Sequence, residues 1–389
     1  MPEFTLDQQQ FRAEVARFAA AEIAPHAANW DDAEKFPQRL FGQLGALGWL
    51  GVGLPVELGG SGGGAVERAI LVEELARASA GVALGIYVHS ALATAAIAQV
   101  GSPELRERYV APLLRGDLTG AWCYAEPDSG ADVTQVRLRA TPVEEQAGAS
   151  GADFVLNGTK CYITNATFAD VLVVVGRTAG EPGSLRGISV FVVDGDSPGL
   201  QHRAMRKVGM RASELGELHF SDCRVPAENL IGTLHSGLRE CLPVLSQGRV
   251  FGGALACGLG GAALAEAARH VGAREQFGGP LAALQAVRFT IADMTARLRA
   301  ARSLVYGAAA ELDAGGSYDT DASIAKLFAS EAATWIAERA MHLHGAQGFM
   351  MESPVQRYYR DCKILEYGEG VNEVQREMIF KAVAAGWRP

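Results

Sequence analysis

Hydrophobic and polar positions follow three successive patterns along the chain, and the first is helical. Apolar side chains recur at helical spacing at Phe11, Val15 and Phe18, after Thr5 and Gln8 in a capping-box pattern. We expect this first helix to end near Pro25, because proline interrupts the hydrogen bonds of a helix interior. Further helical patterns, interrupted by a glycine-rich loop at residues 51–64, cover residues 40–47, 66–76, 83–100 and 103–114.

From about residue 119 the pattern changes to short apolar runs bounded by turn residues. These runs predict strands at residues 136–140, 154–156, 171–175, 188–193 and 218–220. Asn157-Gly158, between the runs 154–156 and 160–163, predicts a β-hairpin turn. Residues 147–152 are a run of small side chains, which we expect to form a mobile loop. We predict an antiparallel β-domain over residues 119–230.

From residue 231 the pattern is helical again, with long alanine-rich segments. Residues 250–273, 283–307 and 323–343 predict helices that pack closely, because alanine lets neighbouring helices approach. The order of helices, sheet and helices favours an α+β protein over a doubly wound α/β fold. We therefore predict an N-terminal helical domain, a middle antiparallel β-domain and a C-terminal four-helix bundle, over residues 1–118, 119–230 and 231–389.

Composition excludes several function classes. The net charge is −9 and no long Lys/Arg run is present, so nucleic acid is not an expected partner. The six cysteines form no C-x-x-C pair and the eight histidines include no H-E-x-x-H, so we predict no metal site. The acidic N-terminal stretch favours a cytoplasmic protein over a secreted one. The uncharged run at residues 80–100 is long enough to span a membrane, but its Ala/Gly content predicts a buried helix.

One glycine-rich stretch is ambiguous. Gly258-Leu-Gly-Gly-Ala-Ala263 fits a loose dinucleotide fingerprint, but no strand precedes it and the surrounding pattern is helical. We therefore expect no Rossmann site, and any nucleotide cofactor has to be held by other segments.

Five stretches carry candidate chemistry. Each alone is compatible with a surface turn, a strand, a helix junction, a helix C-cap or a solvated acidic turn. They read Trp122-Cys-Tyr-Ala-Glu-Pro-Asp-Ser-Gly-Ala-Asp132, Lys160-Cys-Tyr-Ile-Thr-Asn165, Ala273-Arg-Glu-Gln-Phe-Gly-Gly-Pro-Leu281, His342-Leu-His-Gly-Ala-Gln-Gly-Phe349 and Lys363-Ile-Leu-Glu-Tyr-Gly-Glu-Gly-Val-Asn372.

Taken in order, these stretches resemble the signature motifs of the acyl-CoA dehydrogenase family, which uses FAD. Residues 207–213, 223–232 and 247–249 add to the resemblance, which extends from about residue 5 to 382. It implies oxidation of an acyl thioester to its 2,3-enoyl form. Glu369 would remove the α proton and a hydride would pass from the β carbon to flavin N5. The Glu369 backbone N–H and a flavin ribityl hydroxyl would hold the thioester carbonyl.

The resemblance also assigns binding residues. Tyr162 would cover the isoalloxazine ring and Thr164 would offer a hydroxyl to flavin N5. The other cofactor contacts expected around this ring are Trp122, Tyr124, Ala125, Gly130, Ala131, Val371 and Glu373. Contacts expected at a neighbouring subunit's cofactor are Arg274, Phe277, Gln285, His342, Gly345 and Ala346. Substrate contacts would come from Ala131, Ser246, Arg249 and Gly370. Because some cofactor contacts come from a neighbouring subunit, the resemblance implies a homotetramer, or at least a dimer. It also implies an electron-transfer flavoprotein as electron acceptor.

Departures from the family pattern keep alternatives open. Ala125, Ala131 and Val371 replace a usual Thr, Ser and Thr, and Ser246 stands where some members keep an Asp. The acyl group could therefore be carried by an acyl-carrier protein instead of CoA. More remote alternatives are a flavin monooxygenase of the same fold, which Glu369 disfavours, and a non-catalytic helical interaction module.

Two further positions bear on the base and the substrate. In the branch of the family that includes isovaleryl-CoA dehydrogenases, the base lies at the position of Gly248, so Glu369 has no competitor here. Residues 80–100 contain no arginine, which argues against a dicarboxylyl substrate. The helix around Tyr87, His89 and Ala91–Ala95 could line the acyl pocket, although core packing is the simpler interpretation.

Overall fold

The N-terminal region is helical, as predicted. The computed structural model describes residues 3–143 and 152–388, so the predicted loop at 147–152 lies almost wholly outside the described residues. The helices are α1 (Leu6–Phe18), α2 (Ala27–Ala33), α3 (Arg39–Ala46), α4 (Ala65–Ala78), α5 (Ala80–Tyr87), α6 (Ala95–Val100) and α7 (Pro103–Arg115). The Thr5–Gln8 capping box is present at the start of α1.

The N-terminal region contains two π-helical segments next to its α-helices. The prediction that the first helix ends near Pro25 is confirmed, because α1 continues as a π segment only to Ile23 (Ala19–Ile23), and a separate 3-10 turn (Ala24–His26) then leads into α2. Pro25 is tolerated because it lies in the first turn of a new segment, where its missing N–H is not needed. A second π segment, Val88–Thr94, joins α5 to α6. Such segments often occur at functional sites.

The middle region contains a sheet whose described strands are β1 (Gly120–Cys123), β2 (Arg139–Pro142), β3 (Phe154–Thr164), β4 (Val171–Arg177), β5 (Ile188–Asp194), β6 (Leu200–Ala204), β7 (Leu215–Val225) and β8 (Leu230–Ile231). Their order is β6-β7-β3-β2-β4-β5-β8, with β1 also paired to β4. Most neighbours are antiparallel, as predicted, whereas β1 and β2 run parallel to β4. One sheet face joins the helical core and the other covers a separate apolar cluster.

The predicted hairpin at Asn157-Gly158 was wrong. Both residues lie inside the continuous strand β3, where the pairing with β7 shifts register between Leu156 and Gly158. Gly158 has φ 142°, and a Cβ atom there would lie 2.9 Å from Leu138 Cα. Glycine is therefore required for a bulge and a close backbone approach instead of a turn.

The C-terminal region consists of α8 (Gly237–Ala273), α9 (Gln285–Asp313), α10 (Asp319–Leu343), α11 (Pro354–Cys362) and α12 (Asn372–Ala384). Two short strands, β9 (Glu275–Gln276) and β10 (Gly279–Pro280), form the connection between α8 and α9. Gly258 lies inside α8 and packs against the backbone of Glu73 in α4, so the glycine-rich stretch serves helix packing. Its helical context excludes the Rossmann turn.

Two helical stretches, Ala80–Val100 and Gly237–Ala273, are long and apolar enough to cross a membrane. Both are mostly buried inside the protein, as core helices of this length commonly are.

Candidate active site

A cavity of about 620 Å³ lies where the three regions meet. Its apolar wall comes from Leu84 of α5 and from Val88 and Leu92 of the π segment. The sheet contributes residues at the ends of β1 and β3, and the turn before α12 contributes Glu369. The predicted site residues that line this cavity are Trp122, Tyr124, Ala125, Gly130, Ala131, Tyr162, Thr164, Glu369, Gly370 and Val371.

The stretch after β1 is tied to β3 by backbone and side-chain hydrogen bonds. The Cys161 N–H donates to the Ala125 carbonyl at 2.9 Å. The buried Lys160 ammonium donates to Tyr124 O at 2.8 Å and to Glu126 Oε1 at 2.7 Å. Because Lys160 has no exposed side-chain area, this pairing holds the two motifs in one fixed arrangement.

A β-bulge turns Tyr162 outward. The pairing of β3 with β7 shifts between Lys160 and Ile163, and Tyr162 has a left-handed φ of 57°. Left-handed backbone is uncommon for a bulky residue, and such positions often occur at functional sites. Tyr162 is 61% exposed and lines the cavity together with Thr164.

The Glu369 turn is fixed from beneath by a buried lysine. Lys326 Nζ donates to Gly370 O at 2.7 Å, to Asn372 Oδ1 at 2.9 Å and to Glu366 O at 3.3 Å. Gln375 Nε2 donates to the carbonyls of Glu369 and Gly370 at 3.1 Å each. Glu369 has φ 56°, so these bonds hold a conformation that glutamate seldom adopts.

Glycines of α8 provide the space that the Glu369 side chain occupies. A Cβ atom on Gly248 would lie 2.6 Å from Glu369 Oε2, and one on Gly252 would lie 3.2 Å from Glu369 Cγ. Any larger residue at Gly248 would therefore collide with the carboxylate.

Burial is the main influence on the Glu369 carboxyl group. The residue keeps some exposure toward the cavity, but its carboxyl group is enclosed by protein, and this raises its pKa. A hydrogen-bonding contact from Tyr87 and the charges of Lys326 and Arg249 oppose the rise. Burial also lowers the pKa of Lys326 to about 8.

Basic side chains lie in the cavity wall beside the apolar ones. Arg206 and Lys207 come from the segment between β6 and β7, and Arg360 and Lys363 come from α11 and the turn after it. These cations suit an anionic part of a ligand, such as a phosphate.

The other predicted site residues lie outside this cavity. Ser246 is buried in α8, and Arg249 Nη1 lies 3.8 Å from Asp319 Oδ1. Glu373 is exposed on α12. The remaining six are exposed on the protein surface, namely Arg274, Phe277, Gln285, His342, Gly345 and Ala346. A single chain does not bring these six to the cavity, which fits their expected role at a neighbour's cofactor.

Several residues of the site were missed by the sequence analysis. Leu84 and Val88 lie within an uncharged, largely apolar run in which lining and core positions look alike, whereas Leu92 falls within the stretch that was considered as acyl-pocket lining. Lys326 carries a usable signal, because a lysine flanked by alanine and leucine in a core helix requires a polar partner. Core packing was the favoured interpretation for Tyr87, although its hydroxyl and the Glu369 carboxylate border the same small space beside Gly248.

The lining fits a flavin. Ser213 Oγ is buried, lines the cavity and has no hydrogen-bond partner among the residues that the structure describes, as expected where a polar ligand is to be bound. A Cβ atom on Gly130 would meet nothing within 4 Å, so the wall is open beside the exposed Tyr162 ring. Within residues 3–143 and 152–388, no group of three or more His, Cys, Asp or Glu side chains is arranged to hold a metal ion.

Comparison with known proteins agrees along the whole chain. The N-terminal, middle and C-terminal domain profiles of the acyl-CoA dehydrogenases match residues 5–117, 121–223 and 235–384. A probable acyl-CoA dehydrogenase of Bacillus subtilis (strain 168) is 37% identical over 380 residues, covering 97% of this chain and 98% of the relative.

Solved structures agree as well. Butyryl-CoA dehydrogenase of Megasphaera elsdenii superposes with a TM-score of 0.93 at 33% identity, covering 99% of this chain and 100% of that chain. A glutaryl-CoA dehydrogenase of Mycobacterium smegmatis in complex with FADH2 gives a TM-score of 0.91 at 28% identity, covering 98% and 95%. This chain therefore belongs to the acyl-CoA dehydrogenase family of FAD-dependent oxidoreductases, which act on acyl-CoA thioesters.

Proposed function

We propose that the protein oxidises the Cα–Cβ bond of an acyl-CoA thioester to the 2,3-enoyl product, with Glu369 as the general base. The observation that carries this proposal is a carboxyl group with a raised pKa, enclosed beside the cavity on a turn that Lys326 holds in place. A raised pKa makes the carboxylate a stronger base for a weakly acidic C–H bond.

Each part of the site has a role in this reaction. Glu369 accepts the α proton, and in this proposal the backbone N–H of the same residue stabilises the enolate oxygen. Bound FAD supplies the hydride acceptor. The apolar wall of Leu84, Val88 and Leu92 excludes water and suits a hydrocarbon acyl group.

An anaerobic titration tests the base. Purified protein is mixed with butyryl-, isobutyryl- and octanoyl-CoA while flavin absorbance is followed. We expect at least one thioester to bleach the flavin, and Glu369→Gln to slow bleaching by about 10³-fold with FAD still bound. Glu377→Gln, which removes an exposed carboxylate on α12, is the matched control and keeps the rate. Bleaching at the wild-type rate in Glu369→Gln would refute the assignment.

For the carrier we propose CoA over an acyl-carrier protein. The support is the family relationship and the basic residues of the cavity wall, Arg206, Lys207, Arg360 and Lys363, which suit the phosphates of CoA. Both carriers bring phosphate, so matched thioesters decide between them. A kcat/KM at least tenfold higher on the carrier-protein thioester would overturn the choice of CoA.

We also propose a homotetramer. Large apolar side chains are exposed in the C-terminal region, namely Phe277, Phe289, Phe349, Met350, Met351, Phe380 and Val383. Exposed apolar area of this kind commonly marks a surface between protein chains. Light scattering gives the mass directly, and a monomer at micromolar concentration would contradict the proposal.

Two further proposals concern the electron acceptor and the cellular compartment. An electron-transfer flavoprotein would reoxidise the flavin, as the family relationship suggests. The six cysteines are free and buried, which agrees with a reducing compartment such as the cytoplasm. Reoxidation by a purified electron-transfer flavoprotein and cell fractionation test the two separately.

A further inference from the structure

Tyr87, the last residue of α5, is buried beside the Glu369 carboxyl group. It lines a second cavity of about 40 Å³, which Glu369 and Lys326 also border. A Cβ atom on Gly248 would lie 2.6 Å from Glu369 Oε2 and 2.8 Å from the Tyr87 hydroxyl oxygen. The hydroxyl and the carboxylate therefore face the same small space beside α8.

The Tyr87 hydroxyl has one proton and two possible acceptors. It is placed to donate to the Gly248 carbonyl at 3.3 Å, which is a long hydrogen bond. The second acceptor is the Glu369 carboxylate, whose Oε2 faces the same space beside Gly248 and lines the same small cavity. A charged acceptor forms the stronger bond, so the proton points to Glu369 when that group is ionised. When Glu369 is protonated, the hydroxyl can turn back to Gly248 without losing a partner.

Behind Tyr87 lies a buried cation with an unfilled donor. Arg68 of α4 donates from Nε to Val52 O at 2.7 Å, while its Nη2 is buried and has no partner in the described part of the chain. The guanidinium lies 5.4 Å from the Phe251 ring centre, and its charge favours the ionised form of Tyr87. A positive charge on this side makes the hydroxyl a stronger donor.

Other charged groups also face Glu369. Lys326 approaches from α10 and Arg249 from α8, and both favour the ionised carboxylate. Both cations also have acidic neighbours, which are Asp319 beside Arg249 and Glu366 and Glu373 near Lys326. These acidic groups reduce the stabilisation that the two cations give to the ionised Glu369 carboxylate. Among the groups that oppose burial, the hydrogen-bonding contact from Tyr87 is the largest.

We propose that Tyr87 is a positioning residue that keeps the Glu369 carboxylate ionised and aimed into the active site, with Arg68 polarising its hydroxyl. This inference rests on the proposed function of Glu369. It accounts for the position of a buried tyrosine hydroxyl beside a carboxylate, and for a buried arginine behind that hydroxyl whose Nη2 has no partner among the described residues.

The test is the pH profile of flavin reduction at saturating acyl-CoA in Tyr87→Phe. Losing a donor to the charged form raises the pKa of Glu369, so the ascending limb shifts to higher pH by about one unit. The rate falls about tenfold below the midpoint and approaches the wild-type rate above it. Tyr306→Phe removes a comparable buried bond, 2.6 Å to Glu73 Oε2, and keeps the wild-type midpoint.

A second readout does not depend on turnover. The infrared band of the protonated Glu369 carboxyl, identified by its loss in Glu369→Gln, is titrated in the resting protein. Its midpoint moves upward in Tyr87→Phe and moves less, in the same direction, in Arg68→Met, which also serves if Tyr87→Phe does not fold. An unchanged midpoint, or a rate loss equal at every pH, overturns the proposal. If no thioester bleaches the wild-type flavin, the proposed function fails while the infrared titration still decides the role of Tyr87.

Discussion

The residues assigned to FAD fall in two regions of the molecule that differ in how they are held. The first set lines the cavity, where hydrogen bonds from Lys160 and Lys326 fix both the sheet motifs and the Glu369 turn. The second set is exposed, around the β9–β10 connection and the C-terminal end of α10. Phe277 of that set is 90% exposed and has a left-handed φ of 55°.

The difference in burial and hydrogen bonding between the two sets shows which cofactor contacts a single chain can form by itself. Internal hydrogen bonds organise the first set before any ligand binds, so its geometry follows from folding alone. An aromatic side chain as exposed as Phe277 gains its stabilisation only from another surface. If a second copy supplies that surface, damage to the first set impairs chemistry, whereas damage to the second set impairs FAD retention.

After Glu369→Gln itself, the largest effect is expected from Gly248→Ala on the cavity side. The added methyl would lie within 3 Å of both the Glu369 carboxylate and the Tyr87 hydroxyl, so the carboxylate has to move. A shift of this size costs about 100-fold in the rate of flavin reduction. Stopped-flow absorbance under anaerobic conditions measures it.

Gly272→Ala is the matched control because it lies in the same helix and its Cβ would meet nothing within 4 Å. We expect it to keep full activity. A Gly248→Ala enzyme as fast as Gly272→Ala would mean that the Glu369 position does not limit the reaction.

On the exposed side, Arg274→Ala should weaken FAD binding about 30-fold without changing the reduction rate of the FAD-saturated enzyme. The reason is the loss of charge-assisted hydrogen bonds to a phosphate of the neighbour's cofactor. Equilibrium dialysis gives the FAD affinity. Arg115→Ala removes an exposed arginine of α7 and serves as the control. Equal FAD affinities in the two variants would place Arg274 away from any cofactor.

A smaller effect is expected from Lys326→Met, which tests how firmly the first set is held. Its loss removes the lysine donor from the carbonyls of Glu366 and Gly370 and leaves Gly370 with only the longer bond from Gln375, so the Glu369 turn loosens. We expect about tenfold slower flavin reduction. Lys381→Met, at an exposed lysine of α12, is the control. A lower melting temperature with an unchanged rate of flavin reduction would show that the Glu369 turn keeps its shape without Lys326.

Sequence patterns predicted the arrangement of the three regions better than they predicted contacts inside them. Periodicity follows from which face of a helix or strand is buried, so the long helices and the strands β2, β3, β4, β5 and β7 were found from it, whereas β1, β6 and β8 were not. Asn157-Gly158 misled because its local turn preference is the same whether Gly158 makes a turn or lets β3 approach Leu138. Only the neighbouring strand decides between the two.

The same limit applies to the candidate site. The Glu369-Gly370 pair was recognisable, because a left-handed turn favours glycine and both residues adopt positive φ. The contact between Tyr87 and Glu369 joins residues 282 positions apart, and no local pattern encodes it. Whether Arg274 serves its own or a neighbour's cofactor depends on a second chain, which sequence spacing does not describe.

The smallest effect is expected from Val371→Thr, at a departure from the family pattern in the cavity wall. Val371 is the N-cap of α12 and provides no side-chain cap. A threonine hydroxyl there can accept from a free N–H of the first turn, which raises the free energy of unfolding by about 1 kcal/mol. Because Lys326 and Gln375 already fix the turn, flavin reduction should change by less than about threefold. Thermal unfolding and stopped-flow reduction measure the two effects. A tenfold faster reduction without added stability would mean that the residue at position 371 acts on the flavin directly. The hydrogen bonds of Lys326 and Gln375 would then not be enough to set the geometry of the cavity.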